Sequence, residues 1–241
     1  MKINRLLIAI MLVFSITTFS NSDESVKINN ESYEYFNVYD PLEPINRRVY
    51  YFNYQFDKYI FLPTVRFYRT VTPELLRKGV KNFFKNTENI TTTGNSLLQL
   101  KIKKAMRAIG RFSMNTAVGV GGVVDIASDM GMPKPYEDFG MTLAHYGVGK
   151  GAYLVLPILG PSFLRDAVGM GVDTLGTGTL YHTVDLDELN HTGVSILYAI
   201  NKRYNTDFRY YETGSPFEYE YVRFLYYKYR ELQIELGSEI F

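Results

Sequence analysis

Cysteine and tryptophan are both missing from this sequence of 241 residues, and histidine occurs only three times. Without cysteine, the chain forms no disulfide, no cysteine-ligated metal site and no thiol nucleophile. The formal net charge is only +1, whereas a domain that binds duplex nucleic acid normally carries a strongly basic balance. The composition therefore excludes thiol chemistry and predicts that nucleic acid is not a partner.

Complete motifs for nucleotide binding and metal catalysis are also missing. Residues 138–140 match three letters of a kinase motif, but the rest of the kinase signature is absent. The segment 147–151 lacks the first glycine and the hydroxyl residue of a phosphate loop. Asp125 and Asp129 are one helical turn apart with no third ligand nearby, so helix capping and solvation explain them better than a metal site. We predict no cofactor, no metal site and no enzymatic activity.

One catalytic alternative stays open at His145. This histidine follows a glycine-flanked, strand-like segment and could serve as the base of a lipid hydrolase, together with Asp138 and a serine. The sequence has no Gly-x-Ser-x-Gly elbow to supply that serine, so a structural histidine is the favoured interpretation.

The sequence is rich in apolar and aromatic residues. Hydrophobic residues make up 46%, and 21 tyrosines with 16 phenylalanines bring the aromatic content to 15%. Tyrosine has an apolar body and a polar tip, which suits a boundary between membrane and water, although a compositional bias toward tyrosine is the alternative explanation. The length is enough for one domain with a substantial core.

The N-terminal residues have the features of an export signal. Residues 1–22 combine basic Lys2 and Arg5 with an apolar run and with small residues near Ser20 and Ser22. The run is shorter than the roughly 20 residues that cross a bilayer, so a signal peptide is favoured over a permanent anchor. Residues 23–38 are polar and predict a flexible tether. Residues 39–236 are predicted to form a single helical domain.

Apolar residues at helical spacing predict a mainly α fold of amphipathic helices. The first helix begins at residues 40–43, where Asp40 and Glu43 can form a capping box, and ends before Pro63. Its apolar face carries Ile45, Val49, Phe52, Phe56 and Ile60, and its polar face carries Asn46, Arg47, Arg48, Asn53 and Asp57. Further helices are predicted from Thr72, over 101–115, from Asp185 to about Tyr204, and over 216–236. Tyrosines surround the last of these, at positions 219, 221, 226, 227 and 229, which favours a place between wet and apolar surroundings.

The helix over 101–115 is strongly basic on one side. Apolar residues from Ile102 to Phe112 lie on the other side. Such a helix lies naturally against an anionic lipid surface, where each cation contributes about 1 kcal/mol. A solvated charged face is the alternative. The candidate contacts to lipid head groups are Lys101, Lys103, Lys104, Arg107 and Arg111.

The stretch 110–173 interleaves glycine, proline and apolar residues more densely than an ordinary core requires. Because glycine is costly unless a tight turn or a close contact needs it, this stretch predicts that backbone segments approach each other closely. The apolar run 152–164 is interrupted by Pro157, Gly160 and Pro161, so it cannot cross a bilayer but can line a cavity or enter one leaflet. Together these features favour a membrane-seated lipid conduit.

Short blocks of residues, read in order, form a recognisable pattern. The blocks are Asp40, Pro41, Leu42, Glu43, Asn46 and Arg47; Asn115, Gly119, Gly121, Gly122 and Asp125; Gly140, His145, Tyr146, Gly147, Gly149 and Gly151; and Arg165 with Asp166. In these blocks the chain resembles the MlaA family, also called VacJ, of Gram-negative outer-membrane proteins. The resemblance covers residues 39–173 well and the C-terminal helices more loosely.

The resemblance implies a ring-like bundle of amphipathic helices seated in the outer membrane around a central channel. Phospholipids misplaced in the outer leaflet would enter the channel and pass to a soluble periplasmic carrier protein, which maintains lipid asymmetry. A trimeric porin is the implied neighbour. Typical members are lipoproteins with an N-terminal cysteine, which this sequence lacks, so we expect the helices to hold the unacylated protein in the membrane. A soluble periplasmic lipid carrier is the alternative.

Overall fold

The computed structural model describes residues 38–183 and 188–236. The predicted signal peptide and all but the last residue of the predicted tether lie outside this part. Val38, the last tether residue, is buried in the hydrophobic core. The prediction of a mainly α fold is confirmed, because helices account for most of the described chain.

The elements follow one another in a simple order. They are α1 (Glu43–Phe56), a π-helical turn (Asp57–Phe61), α2 (Leu62–Val71), α3 (Glu74–Leu98), α4 (Ile102–Ala117), α5 (Ile126–Asp129), α6 (Phe139–His145), β1 (Tyr153–Leu156), β2 (Gly160–Phe163), α7 (Leu164–Thr183), α8 (Glu188–Tyr204) and α9 (Glu218–Leu236). The strands pair antiparallel, with Tyr153 opposite Phe163 and Leu156 opposite Gly160. The predicted start of α8 at Asp185 lies outside the described residues.

The first predicted helix does not end before Pro63, so this expectation was wrong. The chain runs from α1 through the π-helical turn directly into α2, and the Leu62 N–H donates to the Asp57 carbonyl, five residues earlier. Proline removes a helical hydrogen bond and crowds the preceding turn. The wider π-helical turn lies immediately before Pro63 and changes the local hydrogen-bond spacing there. The proline therefore marks a change of helical winding and not a boundary.

The predicted capping box at the start of α1 is also not formed. No side chain caps this end of the helix. The Asp40 carboxylate instead accepts hydrogen bonds from Asn46 at 2.7 Å, from Arg223 at 3.0 Å and from Tyr219. Glu43 accepts a second bond from Arg223 at 3.1 Å. Both acidic residues thus connect α1 to α9, a tertiary contact that local sequence spacing does not reveal.

The hydrophobic core is small and built largely of tyrosines. Tyr50 of α1, Tyr153 of β1, Phe163 of β2 and Tyr219 of α9 are each at most 4% exposed. Their rings meet edge to face, with the Tyr50 and Tyr219 centroids 5.7 Å apart. The prediction of a wet boundary was therefore wrong for Tyr219, which packs into this core.

Contacts between neighbouring elements form a closed series that leads from α1 back to α2. Helix α1 packs on β1, β2 packs on α9, α9 on α6, and both α6 and α7 on α3. Helix α3 in turn packs on α8, and α8 on α2, which continues α1. Helix α4 lies along α3. This closed order of contacts gives most of these helices an inner and an outer side.

Glycines allow the close approach of α6 and α7. A Cβ on Gly169 would lie 2.3 Å from the backbone nitrogen of Gly140. A Cβ on Gly140 would lie 2.6 Å from the Asp166 Oδ1 atom. The predicted close backbone contacts in the glycine-rich stretch are confirmed here. The segment before His145, which the sequence suggested to be strand-like, is instead helix α6, and the apolar run 152–164 forms the β-hairpin and the start of α7.

Candidate functional site

The polarity of α1 and its π-helical turn is reversed relative to a helix on a water-soluble core. The buried side chains on its polar face are Asn46, Asn53 and Asp57, each at most 4% exposed. On the apolar face, Phe52 is 48% and Ile60 is 50% exposed. A soluble amphipathic helix places its apolar stripe inward. Here most of that stripe faces outward.

Hydrogen bonds to the β-hairpin hold Asn46 and Asn53 of the polar face inward, whereas Arg47 and Arg48 of that face are exposed. The Asn46 side chain donates to the Tyr153 carbonyl at 3.0 Å and accepts from the Val155 N–H at 2.9 Å. Asn53 lies two helical turns later and repeats the arrangement, donating to the Leu156 carbonyl at 2.9 Å. Its amide oxygen accepts from the Ile158 N–H at 2.7 Å. Each amide pairs with the strand backbone as another strand would, which satisfies the buried polar groups.

Helix α3 shows the same reversal. Its buried residues are mostly polar: Asn86, Asn89, Thr92, Asn95 and Ser96, together with Gly79 and Phe84. Asn95 donates to Asp173 of α7 at 2.9 Å and accepts from Thr142 of α6 at 2.8 Å. In contrast, Leu75 is 80% and Leu97 is 47% exposed. Polar contacts between helices thus occupy the inner side of α3.

Helix α4 also exposes its apolar residues. Ile102, Met106 and Ile109 are 55%, 61% and 39% exposed. The side that packs inward carries Ala105 and Ala108, both fully buried, followed by Arg111 and Asn115. We name the exposed apolar side chains of α1–α4, including the π-helical turn, the outer apolar faces; they are Ile45, Phe52, Ile60, Phe67, Val71, Leu75, Leu76, Phe83, Leu97, Leu98, Ile102, Met106 and Ile109. Large exposed apolar surfaces mark contacts with membranes or partners.

Throughout residues 38–183 and 188–236, no helix combines the length and apolar character needed to cross a bilayer.

Two of the predicted head-group lysines bind an internal carboxylate. The Glu137 side chain is fully buried and accepts bonds from Lys101 at 2.9 Å, Lys104 at 2.7 Å and Gln99 at 2.9 Å. Burial opposes ionisation of Glu137, but these bonds from Lys104, Lys101 and Gln99 lower its pKa below the ordinary value. The pair of lysines therefore stabilises the junction of α4 with the segment before α6.

Arg111 does not lie on a surface, which corrects its predicted contact with lipid. It is 2% exposed, and its guanidinium donates to Asp125 at 2.8 Å, to Ser128 at 2.9 Å and to the Met132 carbonyl. Asp125 also accepts from the Ser128 N–H and so caps α5, as the sequence predicted. Burial opposes ionisation of Asp125, but hydrogen bonds from Ser128, Lys134 and Asn115 hold its pKa well below the ordinary value.

The remaining two cations of α4 keep the predicted role as a hypothesis. Lys103 is exposed and Arg107 is half-buried. Neither forms an ion pair with another residue in the described part of the chain. Both are thus available for contact with a charged surface.

Arg230 of α9 is the centre of a buried charge network, and the sequence analysis did not single it out. Its guanidinium donates to Asp138 at 2.7 and 3.1 Å and to Asp166 at 2.9 and 3.0 Å. Asp166 also pairs with Arg165 at 3.0 Å. Burial disfavours the Asp138 charge, yet the bonds from Arg230 lower its pKa. Arg223 and Arg230 are both buried and lie two helical turns apart on the same side of α9. This spacing of two arginines is the sequence signal that could have revealed the charged inner side of α9.

The hydrolase arrangement at His145 is not formed. His145 ends α6 and is exposed, whereas Asp138 caps the opposite end of the same helix. Seven residues of helix separate them by about 10 Å, and the Asp138 carboxylate is bound to Arg230 and Tyr136. Among the described residues, no group of acidic or histidine side chains is arranged to hold a metal ion.

Comparison with known proteins identifies the family. The family model described as MlaA lipoprotein matches residues 38–233. This chain belongs to the MlaA family. It is 35% identical over 207 residues to an uncharacterized protein of Rickettsia conorii, covering 82% of this chain and 81% of that protein.

Two named relatives and one solved structure extend the comparison. The intermembrane phospholipid transport system lipoprotein MlaA of Haemophilus influenzae is 30% identical over 72% of this chain and 68% of its own length. The protein of the same name in Escherichia coli K12 is 41% identical over 54% of this chain and 53% of its own length. A solved structure described as the structural basis for maintenance of bacterial outer membrane lipid asymmetry matches with a TM-score of 0.68 and 32% identity, covering 81% of this chain and 99% of that one.

The residues that carry the MlaA resemblance lie mostly at contacts between elements. Pro41 and Leu42 form the turn before α1, and the Arg47 guanidinium lies 4.4 Å from the centre of the Tyr219 ring. A Cβ on Gly122, where φ is +92°, would lie 2.7 Å from Asn86 Nδ2. The other glycines of the set are Gly119 and Gly121 after α4, and Gly147, Gly149 and Gly151 between α6 and β1.

Tyr146 and Arg165 fasten the segment that follows α6. The Tyr146 hydroxyl donates to the Leu98 carbonyl at the end of α3. Arg165 donates to the Val148 carbonyl as well as to Asp166. In the MlaA fold of this chain, these motif residues therefore connect segments that are distant in sequence.

Proposed function

We propose that this protein removes phospholipids misplaced in the outer leaflet of the outer membrane and passes them to a soluble periplasmic carrier, which maintains lipid asymmetry. The observation that supports this most is the reversed polarity of α1, α3 and α4. The names of the Haemophilus influenzae and Escherichia coli relatives, which describe intermembrane phospholipid transport, point the same way.

The outer apolar faces favour a position within lipid at the periplasmic side of the outer membrane. Moving a large apolar side chain from water into an apolar surrounding contributes about 1.5–3 kcal/mol. Phe67 and Leu75, at 68% and 80% exposed, are among the side chains that would gain this energy from acyl chains. Several such residues hold the protein in the membrane without the acyl anchor that a cysteine would carry.

The polar inner sides of the helices suit a passage for head groups. A charged group at the bilayer centre costs at least about 2.5–3.5 kcal/mol, so unassisted lipid transfer between leaflets is slow. A ring whose interior carries asparagine, threonine and charged groups would shelter a head group while the tails stay in hydrocarbon. The closed order of contacts from α1 through the hairpin and α9 back to α2 supports such a ring.

Movement through the passage would be passive, because the sequence has no complete nucleotide-binding motif. The downstream carrier would then set the direction by accepting the lipid. A trimeric porin beside the ring would be its partner in the membrane.

Complementation tests this function. In an Escherichia coli strain that lacks its own MlaA, expression of the full chain should lower the amount of phospholipid in the outer leaflet to the wild-type level. Restoration should fail with an empty vector. If the chain reaches the outer membrane and lipid asymmetry is not restored, the proposed function is wrong.

Fractionation separates the membrane-seated conduit from a soluble lipid carrier. A ring held by its outer apolar faces should stay with membranes in high salt and require detergent for release. Release by salt alone would favour the soluble carrier.

A further inference from the structure

The inner side of α3 is exposed to water at Lys85 and Glu88. Lys81, Lys85 and Glu88 follow helical spacing that places them on the same side as the buried Thr92 and Asn95. Lys85 and Glu88 are nevertheless exposed. Since the opposite side of α3 carries the outer apolar faces, these charges lie in a polar recess that water reaches.

Helix α8 forms a second wall of this recess. The Phe84 ring of α3 packs on the Tyr198 ring of α8, with centroids 5.1 Å apart. Lys202 follows Tyr198 by one helical turn, and its Nζ atom lies 5.9 Å from the centre of that ring. From this position, the positive charge of Lys202 lowers the pKa of Glu88.

The segment between α5 and α6 forms the third wall. Lys134 lies in this segment and pairs with Asp125 at 2.9 Å. Its positive charge lowers the pKa of Lys85 and the pKa of Glu88. We name the set Lys85, Glu88, Lys134 and Lys202 the lysine–glutamate recess.

Most charges in the lysine–glutamate recess have no internal partner. Asp125 neutralises Lys134, but within the described part of the chain the side chains of Lys85, Glu88 and Lys202 form no ion pair. Water reaches both side chains, but the protein packed around them still removes part of their hydration; this raises the pKa of Glu88, which the charges of Lys85, Lys202 and Lys134 oppose, and lowers the pKa of Lys85. Charged groups in such surroundings are costly unless paired. A ligand with one negative and one positive group would pair with the lysines and with Glu88.

We propose that the lysine–glutamate recess binds the head group of a phospholipid that carries both a phosphate and a protonated amine, such as an ethanolamine phospholipid. Lys85 and Lys202 bind the phosphate oxygens, and Glu88 binds the ammonium group. The inference rests on the proposed transport function and adds a head-group preference to it. The Phe84 and Tyr198 rings beside the recess offer an apolar surface for the glycerol and the first acyl carbons.

Lipid retention by the purified full chain tests this assignment. Delipidated protein in detergent is equilibrated with equal amounts of phosphatidylethanolamine and phosphatidylglycerol, re-purified, and its lipids are quantified by mass spectrometry. Glu88→Gln should lower the ratio of ethanolamine to glycerol lipid by about threefold, and Lys85→Gln with Lys202→Gln should lower total phospholipid by about fivefold, as the loss of partly exposed charge pairs predicts. Glu74→Gln and Lys58→Gln, which alter exposed charges outside the recess, should change neither quantity.

Each other result has a definite meaning. An unchanged lipid ratio in Glu88→Gln overturns amine recognition, and unchanged total lipid in the double lysine variant overturns phosphate binding, provided that circular dichroism shows both variants folded. If soluble glycerophosphoethanolamine is retained as well as the lipid, the ligand is a free phosphodiester and the lipid assignment is wrong. If the wild-type protein retains no phospholipid, the proposed transport function itself fails.

Discussion

Replacing Arg230 by methionine should destabilise the fold more than any surface charge change on α9. Arg230 is 6% exposed, and its guanidinium makes two hydrogen bonds to each of two carboxylates, Asp138 before α6 and Asp166 in α7. Methionine fills similar space but pairs with neither carboxylate. Helix α9 would then lose its main polar connection to α6 and α7.

The magnitude follows from what remains after the substitution. Removing one partner of a buried charge network costs about 3–5 kcal/mol, because the other partners stay buried without compensation. Asp166 keeps Arg165, and Asp138 keeps bonds from Tyr136 and the Met141 N–H, so the lower end applies. For a chain of this size, about 3 kcal/mol corresponds to a loss of about 6–12 °C in the unfolding midpoint.

Thermal unfolding in detergent, followed by circular dichroism at 222 nm as an approximate helix signal, measures this loss. Lys228→Met is the matched control on the same helix, because the side chains of its pair with Glu231 at 3.3 Å are 39% and 35% exposed, and ion pairs that water reaches contribute at most about 1 kcal/mol. Asp138→Asn should lower the free energy of unfolding less in the Arg230→Met background than in the wild-type background. The difference between the two losses, which is the coupling energy, should be about 1–3 kcal/mol.

The pH dependence gives an independent check. The pKa of Asp138 is lowered in the folded protein, so its pairing contributes stability above the ordinary value of 3.8 and loses it as the pH falls below that value. The difference between wild type and Arg230→Met should therefore shrink in acid. A midpoint shift no larger than that of Lys228→Met, or additive costs in the double variant, would refute the role of Arg230.

Three further predictions concern separate parts of the molecule. Glu137→Gln should lower the free energy of unfolding by about 2–3 kcal/mol at neutral pH. Because the pKa of Glu137 is lowered in the folded protein, this loss should diminish as the pH falls below 4.5. A loss that is independent of pH would contradict the ion pairs. Gly169→Ala should destabilise by more than about 2 kcal/mol, since its Cβ would meet the Gly140 backbone at 2.3 Å, whereas Gly171→Ala, with open space around it, should be neutral or slightly stabilising in the same unfolding assay. Leu75→Lys should reduce retention on membranes in fractionation while Leu75→Met retains it, and equal retention would argue against lipid contact at this face.

Local sequence signals predicted α1, α3, α4, α8 and α9, and the two-sided character of the first three, but they did not predict α2, α5, α6 or the 20-residue α7. Residue spacing along α1 separated Phe52 and Ile60 from Asn53 and Asp57, and the dense glycines predicted the close approach seen at Gly169. Errors arose where a residue has a distant partner. Asp40 has the spacing of a helix cap, but Arg223 and Tyr219 of α9 bind its carboxylate.

The candidate site depended still more on tertiary contacts. The five cations between residues 101 and 111 look alike in sequence, yet Arg111 is buried against Asp125 while Lys103 is exposed. Arg230 lies in a helix whose many tyrosines conceal the significance of a single buried charge. Because Asp138 and Asp166 are 92 and 64 residues away, no local pattern predicts their convergence.

The amino-acid sequence by itself determined that the helices have one apolar and one polar side, that glycines permit close backbone contact, and that the chain resembles the MlaA family. Only the tertiary structure decided which side of each helix faces inward. Helical periodicity separates two faces but does not state which one meets solvent or lipid. That choice is made by long-range hydrogen bonds, such as the one from Asn46 to the Tyr153 carbonyl 107 residues later, which hold the polar sides together and leave the apolar sides outside.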